Sequence, residues 1–278
     1  MSRAVFVGMA TVDVVHRLER RVRPNEKVTA LGQDISAGGP AANAAVTFAR
    51  LGGEATLVTA LGSHPLARYA AAELAQQGVE VRDAAPDVTG PPPVSAIQVI
   101  DSTGDRQVSS INAGAFWADR PAEPPPDLAG LAADADVVLI DGHHPRLALA
   151  AARAGARAGA RVVLDGGSWK PVLAEVLPAV DYAVCSEVFP GAASLEVPNV
   201  AVTRGPKPVR WWSNGNSGEI PVPSIDVRDT LGAGDVFHGA FAYALAGGAS
   251  FVDALAHGVR IAALRCAVAG PRAWLEQL

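Results

Sequence analysis

Residues 229 to 241 place a carboxylate beside a glycine-rich turn at the start of an apolar helix. Their sequence is Asp-Thr-Leu-Gly-Ala-Gly-Asp-Val-Phe-His-Gly-Ala-Phe. Gly232, Ala233 and Gly234 form the turn, and Asp235 follows in the first helical turn. Unpaired backbone N–H groups and the positive end of the helix dipole meet at such a turn, and glycine lets an anion approach closely. The segment therefore predicts an anion site with an acid beside it.

The acid in this segment has two interpretations. A carboxylate repels a bound phosphate, so Asp235 makes chemical sense if it takes a proton from a hydroxyl group. The turn would then stabilise charge on a phosphoryl group in transfer. In the alternative, Asp235 only favours the helix dipole and the glycines only shape the turn.

A second glycine pair opens another helix, in the sequence Gly38-Gly39-Pro40-Ala41-Ala42-Asn43. The helix that follows is apolar on nearly all sides, which predicts burial, and a buried Asn43 amide needs partners. Those partners are either backbone groups or the hydroxyl groups of a sugar. Asp13 follows the first predicted strand, and ligands of open α/β sheets gather at the carboxyl ends of strands. Asp13 and Asn43 would then meet at one polyol.

Apolar β-branched runs alternate with alanine-rich helical stretches along the chain. The predicted strands are 3–9, 55–60, 136–141, 161–165, 181–185 and 200–203, and the predicted helices are 40–51, 66–77, 146–159, 234–247 and 251–268. This alternation predicts an α/β fold with a doubly wound, mostly parallel sheet and helices on both faces. Asn214-Gly215 predicts a tight hairpin turn.

Two more polar stretches, 14–36 and 93–111, alternate apolar and polar residues. They predict antiparallel strands with one solvated face, forming a small lid over the main sheet. We expect residues 1–278 to form a single domain that includes this lid. An exposed sheet edge tends to be covered, so the lid also predicts a homodimer.

Composition limits the class of protein. Charged residues make up 18% of the 278 residues, the net charge is −5, and there is no run of Lys or Arg, which excludes nucleic acid and anionic membranes as expected partners. No apolar stretch reaches the roughly 18 residues of a membrane span. The start of the chain matches a buried strand and not a signal peptide, and Cys185 and Cys266 are too few for a disulfide framework. We therefore expect a cytoplasmic protein.

The two glycine segments make the chain similar to the ribokinase-like (PfkB-type) carbohydrate kinase family, nearest to its ketohexokinase/fructokinase-like and sulfofructose-kinase-like branches. The resemblance runs nearly end to end. It is carried by Gly8 to Asp13, Gly-Gly-x-x-x-Asn at 38–43, Ala113-Gly114-Ala115, Val202-Thr203-Arg204-Gly205, and Asp-Thr-x-Gly-Ala-Gly-Asp at 229–235.

This resemblance implies a doubly wound α/β domain with a β lid, and an enzyme that uses ATP and Mg²⁺ on a small sugar. Asp235 would be the base that activates a sugar hydroxyl, and residues 232–234 would form the anion hole. The candidate sugar-binding residues are Thr11, Asp13, Gly38, Gly39, Asn43, Asn112 and His143. The candidate nucleotide-binding residues are Ser186, Thr203, Gly205, Thr230, Gly232, Gly234, His238 and Arg260. A monovalent cation is a further candidate near Asp229.

Some residues depart from the family pattern. The Asn-x-x-Glu motif that organises Mg²⁺ is replaced by Ser186-Glu187-Val188-Phe189, so we expect ATP phosphates and water to hold Mg²⁺, with Glu187 as the one candidate ligand. Pro40 stands where ribokinases usually carry lysine, and Thr11 where they often carry asparagine, which disfavours ribose. His143 stands where the sulfofructose branch carries arginine, so the resemblance does not establish a sulfosugar as the substrate.

The roles of three histidines have alternative interpretations. His143 and His144 are adjacent on an extended segment, which argues against a shared metal, and one of them would face the cleft as a sugar contact. His238 either approaches a phosphate or packs in the interior.

The sequence therefore predicts ATP-dependent phosphorylation of a primary hydroxyl group, on a ketohexose or a related furanose. The alternatives are an adenosine-type nucleoside kinase, a ribokinase, and a non-catalytic protein of the same fold that binds sugar or nucleotide. A dinucleotide-binding dehydrogenase is disfavoured because Gly232-x-Gly234-x-x-Phe237 lacks the third glycine and lies far from the first strand.

Overall fold

A computed structural model describes residues 1–113 and 122–278 of the chain. Within them, the larger sheet has nine strands, which lie in the order β13-β12-β11-β10-β9-β8-β1-β4-β5. Their bounds are β1 Arg3–Val7, β4 Glu54–Thr59, β5 Val79–Asp83, β8 Val137–Ile140, β9 Arg161–Gly166, β10 Tyr182–Ser186, β11 Asn199–Arg204, β12 Lys207–Ser213 and β13 Asn216–Ile220. The strands from β5 to β11 are parallel, and β12 and β13 add an antiparallel hairpin. Strand order reverses at β1, between β4 and β8, which is where open sheets bind ligands.

Helices cover both faces of this sheet, as the alternating pattern predicts. They are α1 Pro40–Arg50, α2 Pro65–Gln76, α3 Leu128–Ala133, α4 Pro145–Ala158, α5 Leu173–Val176, α6 Ala233–Ala246 and α7 Phe251–Cys266. Along β1, Phe6 points into the core beneath α1, α6 and α7, whereas Val5 and Val7 point into the core beneath α3 to α5. Burial on both faces explains why the strand sequence is almost continuously apolar.

A second sheet, here called the lid sheet, has the strand order β3-β2-β6-β7. Its strands are β2 Thr11–Leu18, β3 Gly32–Gly38, β6 Val94–Ile100 and β7 Arg106–Ser110. Val15, Ile97 and Val99 are buried on its inner face against Leu231, while Val94 is exposed on the other.

One expectation for the lid sheet is wrong, because β2 and β6 pair in parallel. The two hairpins are antiparallel within themselves, as predicted. Each hairpin runs out on its first strand and returns on its second. The hairpins join along their first strands, β2 and β6, which therefore point the same way.

Most predicted elements lie within one or two residues of their observed bounds, and α6 and α7 are examples. The hairpin prediction is confirmed, since Asn214 and Gly215 both have positive φ, 49° and 77°. β5, α3 and α5 were not predicted. Gly114 and Ala115, which carry part of the family resemblance, lie outside the described residues. Among the described residues, no helix has both the length and the apolar character needed to cross a membrane.

Candidate active site

The glycine turn opens α6 as predicted. Gly232 caps the helix with a φ of 70°, a left-handed conformation that favours glycine. A Cβ built on Gly234 meets no atom within 4 Å, so the space beside the first turn of α6 is open there, whereas the backbone N–H of Ala233 donates to the carbonyl oxygen of Thr230 at 3.3 Å. Asp235 follows in the same turn and is half-buried. A Cβ on Gly232 would lie 3.6 Å from Asp235 Oδ2, so the carboxylate lies directly beside the glycine turn.

Asp235 is held by the amide of Asn43. Asn43 Nδ2 donates a hydrogen bond to Asp235 Oδ2 at 2.8 Å. The pKa of Asp235 is raised to about 6, mainly by burial and to a smaller extent by the negative charge of Asp165. The hydrogen bond from Asn43 opposes this rise. A carboxylate with this pKa is mostly ionised at neutral pH yet basic enough to accept a proton, which suits a general base.

The other end of the Asn43 amide is held by a residue that the sequence did not single out. Arg272 Nη1 donates to Asn43 Oδ1 at 3.1 Å, and Arg272 Nη2 donates to the carbonyl oxygen of Ala37 at 2.7 Å. Glu73 fixes the guanidinium group through Arg272 Nε, at 2.9 Å. Because the oxygen of Asn43 accepts from Arg272, its nitrogen faces Asp235. The partners of Asn43 are therefore two side chains, rather than the backbone groups proposed as one alternative.

Asp13 is buried at the start of the lid sheet. Thr11 Oγ1 donates to Asp13 Oδ1 at 2.6 Å. Burial raises the pKa of Asp13, and hydrogen bonds from Thr11 and Ser95 partly offset the rise. A Cβ on Gly38 would lie 2.0 Å from Asp13 Oδ2, so only glycine fits beside this carboxylate. Thr11, Asp13 and Gly38 thus form one unit.

Asp13 and Asn43 line the same cavity, as the sequence predicts. This cavity is narrow, about 20 Å³, and its lining includes Gly232 and Arg272. A larger cavity of about 330 Å³ shares Arg272 with it and lies between the lid sheet and the loop after α7. The larger cavity is of the size that small ligands occupy.

A further missed residue, Asp141, organises the loops around this cavity. Asp141 Oδ2 accepts from the backbone N–H of Met9 at 2.8 Å and from that of Ala41 at 3.3 Å, and Oδ1 accepts from that of His143 at 2.9 Å. One buried carboxylate therefore joins the loop after β1, the start of α1 and the loop after β8. The available signal was its place directly after a buried strand.

Gly39 brings the start of α1 against the loop after β1. Its φ is 97°, and a Cβ there would lie 2.4 Å from the carbonyl oxygen of Met9. A side chain at this position would push the α1 segment away from the cavity.

His238 lies in the interior behind the site. Its Nδ1 is 2.7 Å from the carbonyl oxygen of Gly234, and its Nε2 is 3.0 Å from that of Val184. Asp165, at the carboxyl end of β9, lies 3.5 Å from Nδ1. Both ring nitrogens are thus engaged by the protein, which favours the packing alternative over a phosphate contact. Asp165, which the sequence analysis missed, is a second buried carboxylate near Asp235.

The other nucleotide candidates lie mainly at the ends of β10 and β11. Ser186 and Thr203 are paired in register, and Gly205 is exposed with a φ of 59°. Ser186 Oγ donates to the carbonyl oxygen of Gly167 at 2.9 Å. Arg260 is exposed on α7, where it contacts His257 at 3.1 Å.

Five of the seven sugar candidates line neither cavity: Thr11, Gly38 and Gly39, which adjoin Asp13 or Asn43, and also Asn112 and His143. Asn112 is exposed, with a φ of 52°, and lines neither cavity. His143 is half-buried and also lines neither, and burial lowers its pKa. Its neighbour His144 is buried at the start of α4.

Within residues 1–113 and 122–278, side chains do not form a metal-binding site. No group of three metal-ligating side chains occurs there. Glu187 is exposed and lies 3.5 Å from Lys207 Nζ. The prediction that ATP phosphates and water hold Mg²⁺ therefore remains a prediction.

The lid sheet contacts the glycine turn through its β6–β7 loop. The backbone N–H and the hydroxyl of Thr230 both donate to the carbonyl oxygen of Gly104, at 3.1 and 2.9 Å, and Arg106 Nη1 donates to the Thr230 hydroxyl at 3.2 Å. Gly104 has a φ of 68°, and a Cβ there would lie 3.0 Å from the backbone nitrogen of Asp229. Thr230 therefore joins the lid sheet to the glycine turn.

The residues around Asp229 do not fit the monovalent cation that the resemblance implies. The guanidinium groups of Arg17 and Arg265 lie 3.2 and 3.3 Å from Asp229 Oδ2. The same oxygen accepts from the backbone N–H of Gly270 at 3.1 Å. The carboxylate is thus surrounded by protein donors.

Comparison with known proteins agrees with this geometry. The profile of the pfkB family carbohydrate kinases matches residues 1–188 and 191–278. The chain is 27% identical to a ribokinase of Arabidopsis thaliana over 290 aligned residues, covering 96% of this chain and 76% of the relative. It is 28% identical to a ribokinase of Lactococcus lactis over 271 residues, covering 92% and 87% of the two chains.

A solved structure shares the fold. The structure of Arabidopsis thaliana ribokinase complexed with ribose and ATP superposes with a TM-score of 0.78 at 24% identity, over 99% of this chain and 97% of that one. The family profile spans almost the whole chain and includes both glycine segments. The chain belongs to the pfkB family of carbohydrate kinases and is an ATP-dependent sugar kinase.

Proposed function

We propose that this kinase transfers the terminal phosphoryl group of ATP to a primary hydroxyl of a small furanose sugar, with Asp235 as the general base. One observation carries the proposal: Asn43 holds Asp235, whose pKa is about 6, beside the glycine turn at the start of α6, where the space around Gly234 is open. A base and an anion site at one helix start are what in-line transfer to an alcohol requires.

The sugar would lie in the cavity that Asp13 and Asn43 line, with hydroxyl groups against Asp13 and the remaining Asn43 amide hydrogen. The primary hydroxyl would face Asp235, which accepts its proton as the oxygen attacks phosphorus. The amides of residues 232–234 would stabilise the negative charge of the group in transfer. Mg²⁺ carried by the ATP phosphates would spread their charge.

The nucleotide would lie across the ends of β10 and β11. Ser186, Thr203 and Gly205 are at this edge, and the open backbone at Gly205 leaves room for a flat base or ribose. Thr230 lies at the other end of the path, next to the turn that would hold the phosphates. ATP use also supports a cytoplasmic location.

The sugar itself has two candidates. Pro40 and Thr11 replace the residues that ribokinases usually carry, and this favours a ketohexose. The names of the two curated relatives favour ribose. Values of kcat/KM should therefore be measured with ATP for fructose, other ketohexoses, ribose, a sulfosugar and adenosine. Highest kcat/KM with a ketohexose would support the first candidate, and preference for ribose would replace it. Preference for adenosine would instead support the nucleoside kinase alternative.

The lid sheet supports a homodimer. Its outer face exposes Ile35 and Val94, residues that are 47% and 36% exposed. A second copy that covers this face would remove the apolar surface from water. Light scattering should give twice the mass of the chain, and Val94→Glu, on the outer face and in the lining of neither cavity, should halve that mass. A monomer mass at every concentration would reject the dimer.

A further inference from the structure

Asp229 is a completely buried carboxylate, and protein donors surround it. Its side chain is 0% exposed. Oδ1 accepts from the backbone N–H of Leu231 at 2.9 Å, and Oδ2 accepts from the backbone N–H of Gly270 at 3.1 Å and from Arg17 Nη2 at 3.2 Å. Arg265 Nη2 lies 3.3 Å from the same Oδ2. A buried charge of this kind needs both paired charge and hydrogen bonds.

Arg265 occupies the place where oxygen atoms converge. It lies near the end of α7, and its side chain is only 2% exposed. Its Nη1 donates to the carbonyl oxygen of Val268 at 3.0 Å and to that of Asp229 at 3.4 Å. Two carbonyl oxygens and a carboxylate are the ligands that a monovalent cation uses in place of its hydration shell. Here the guanidinium group of Arg265 contacts these three groups instead.

The balance of charge also opposes a further cation. Arg17 and Arg265 bring two positive charges to the single negative charge of Asp229. Asp101 lies 3.4 Å from Arg17 Nη1, but its side chain is 40% exposed, so solvent screens its charge. A potassium ion placed at Asp229 would therefore meet two guanidinium groups at short range in a poorly screened site.

This cluster supports the glycine turn of the active site. Asp229 Oδ1 holds the N–H of Leu231, and Leu231 directly precedes Gly232, the cap of α6. The group that balances the charge of Asp229 therefore also determines the position of the glycine turn, whose backbone N–H groups would face the phosphoryl group. We propose that the Arg265 side chain takes the place of a monovalent cation at Asp229, so that this kinase holds its anion site without added potassium or sodium. Arg265 is thus a positioning residue.

The first test uses the unaltered protein. Melting temperature and kcat should be measured in potassium, sodium and choline chloride at one ionic strength. We expect both quantities to be the same in the three salts, because no site binds the ion. A melting temperature or a kcat that rises specifically with potassium would overturn the proposal. The melting temperature does not depend on the sugar, so this arm also stands if the sugar panel yields no substrate.

The second test removes the guanidinium group. Arg265→Ala leaves the buried Asp229 charge without its partner, and we expect the melting temperature to fall by on the order of 10 °C. Movement of the turn should lower kcat about tenfold or more. Potassium or low millimolar guanidinium should restore part of both losses, because each can enter the space left among the oxygens.

The control is Arg153→Ala, which removes an arginine that is 55% exposed on α4, on the opposite face of the sheet. We expect it to behave as the unaltered protein in all salts. Losses in Arg265→Ala that neither ion restores would make Arg265 a packing residue only and would overturn the proposal, as would an Arg265→Ala protein with normal stability and kcat in choline. If that variant does not fold, the salt comparison on the unaltered protein decides.

Discussion

Asn43 and Asp235 are 192 positions apart in the chain, and a hydrogen bond of 2.8 Å joins them. The bond depends on close packing of α1 against α6. At Gly239 on α6, a Cβ would lie 2.3 Å from the carbonyl oxygen of Ala44 on α1, so only glycine permits this approach. The segment predicted to bind sugar and the segment predicted to bind phosphate thus meet at one side-chain contact.

Asp235→Asn should lower kcat by about two orders of magnitude or more, because the amide cannot accept the hydroxyl proton. The shape of the side chain is kept, so sugar affinity should stay close to normal. Steady-state kinetics and sugar titration by calorimetry measure the two quantities. Asp253→Asn, at the exposed start of α7, is the control and should leave both unchanged. Near-normal turnover in Asp235→Asn would remove Asp235 from the role of base.

The activity of the unaltered enzyme should fall on acidification. Burial and Asp165 raise the pKa of Asp235 to about 6, so the ionised, basic form predominates above that pH and is lost below it. A plot of kcat/KM against pH should therefore show an acidic limb with a midpoint near 6 and a slope of one proton. An activity that stays constant down to pH 4.5 would contradict this assignment.

Loss of the Asn43 amide should move that limb to higher pH. The hydrogen bond from Asn43 favours the ionised form of Asp235, so Asn43→Ala raises the pKa of Asp235 further. Arg272→Met should move the limb in the same direction by a smaller amount, because the Asn43 amide is then free to rotate. The pH profile distinguishes this effect from a simple loss of stability. A limb that does not move in Asn43→Ala would show that the bond has no influence on the base.

The glycine turn offers a pair of matched substitutions. Gly234→Ala adds a methyl group in open space, so the melting temperature should be kept, while the methyl group crowds the phosphate and lowers kcat about tenfold or more. Gly232→Ala places a side chain at a φ of 70° and should destabilise the fold by about 1–2 kcal/mol. Chemical denaturation and kinetics separate the two outcomes. Normal kcat in a stable Gly234→Ala protein would argue against the anion hole.

The sequence predicted the fold and the two glycine segments because each signal is local. The apolar period identified the helices, and the Gly-Ala-Gly turn identified the start of α6. Arg272 could not be predicted, since it lies 229 residues from Asn43 in no recognisable motif. Asp141 was missed because a carboxylate after a strand does not reveal which backbone groups it will hold. The parallel pairing of β2 and β6 depends on how two hairpins meet, which no local pattern records.

The hydrogen bonds between Thr230 and Gly104 would give the lid sheet a second role, besides the covering of the sugar that the resemblance implies. Outward movement of the lid sheet would break these hydrogen bonds. Thr230, which precedes the glycine turn, would then be free to move. Without sugar and with the lid sheet open, the enzyme would bind ATP while the glycine turn is displaced. Hydrolysis of ATP by water would then be poorly catalysed. The three hydrogen bonds of Thr230, two to Gly104 and one from Arg106, would in this way limit wasteful hydrolysis of ATP.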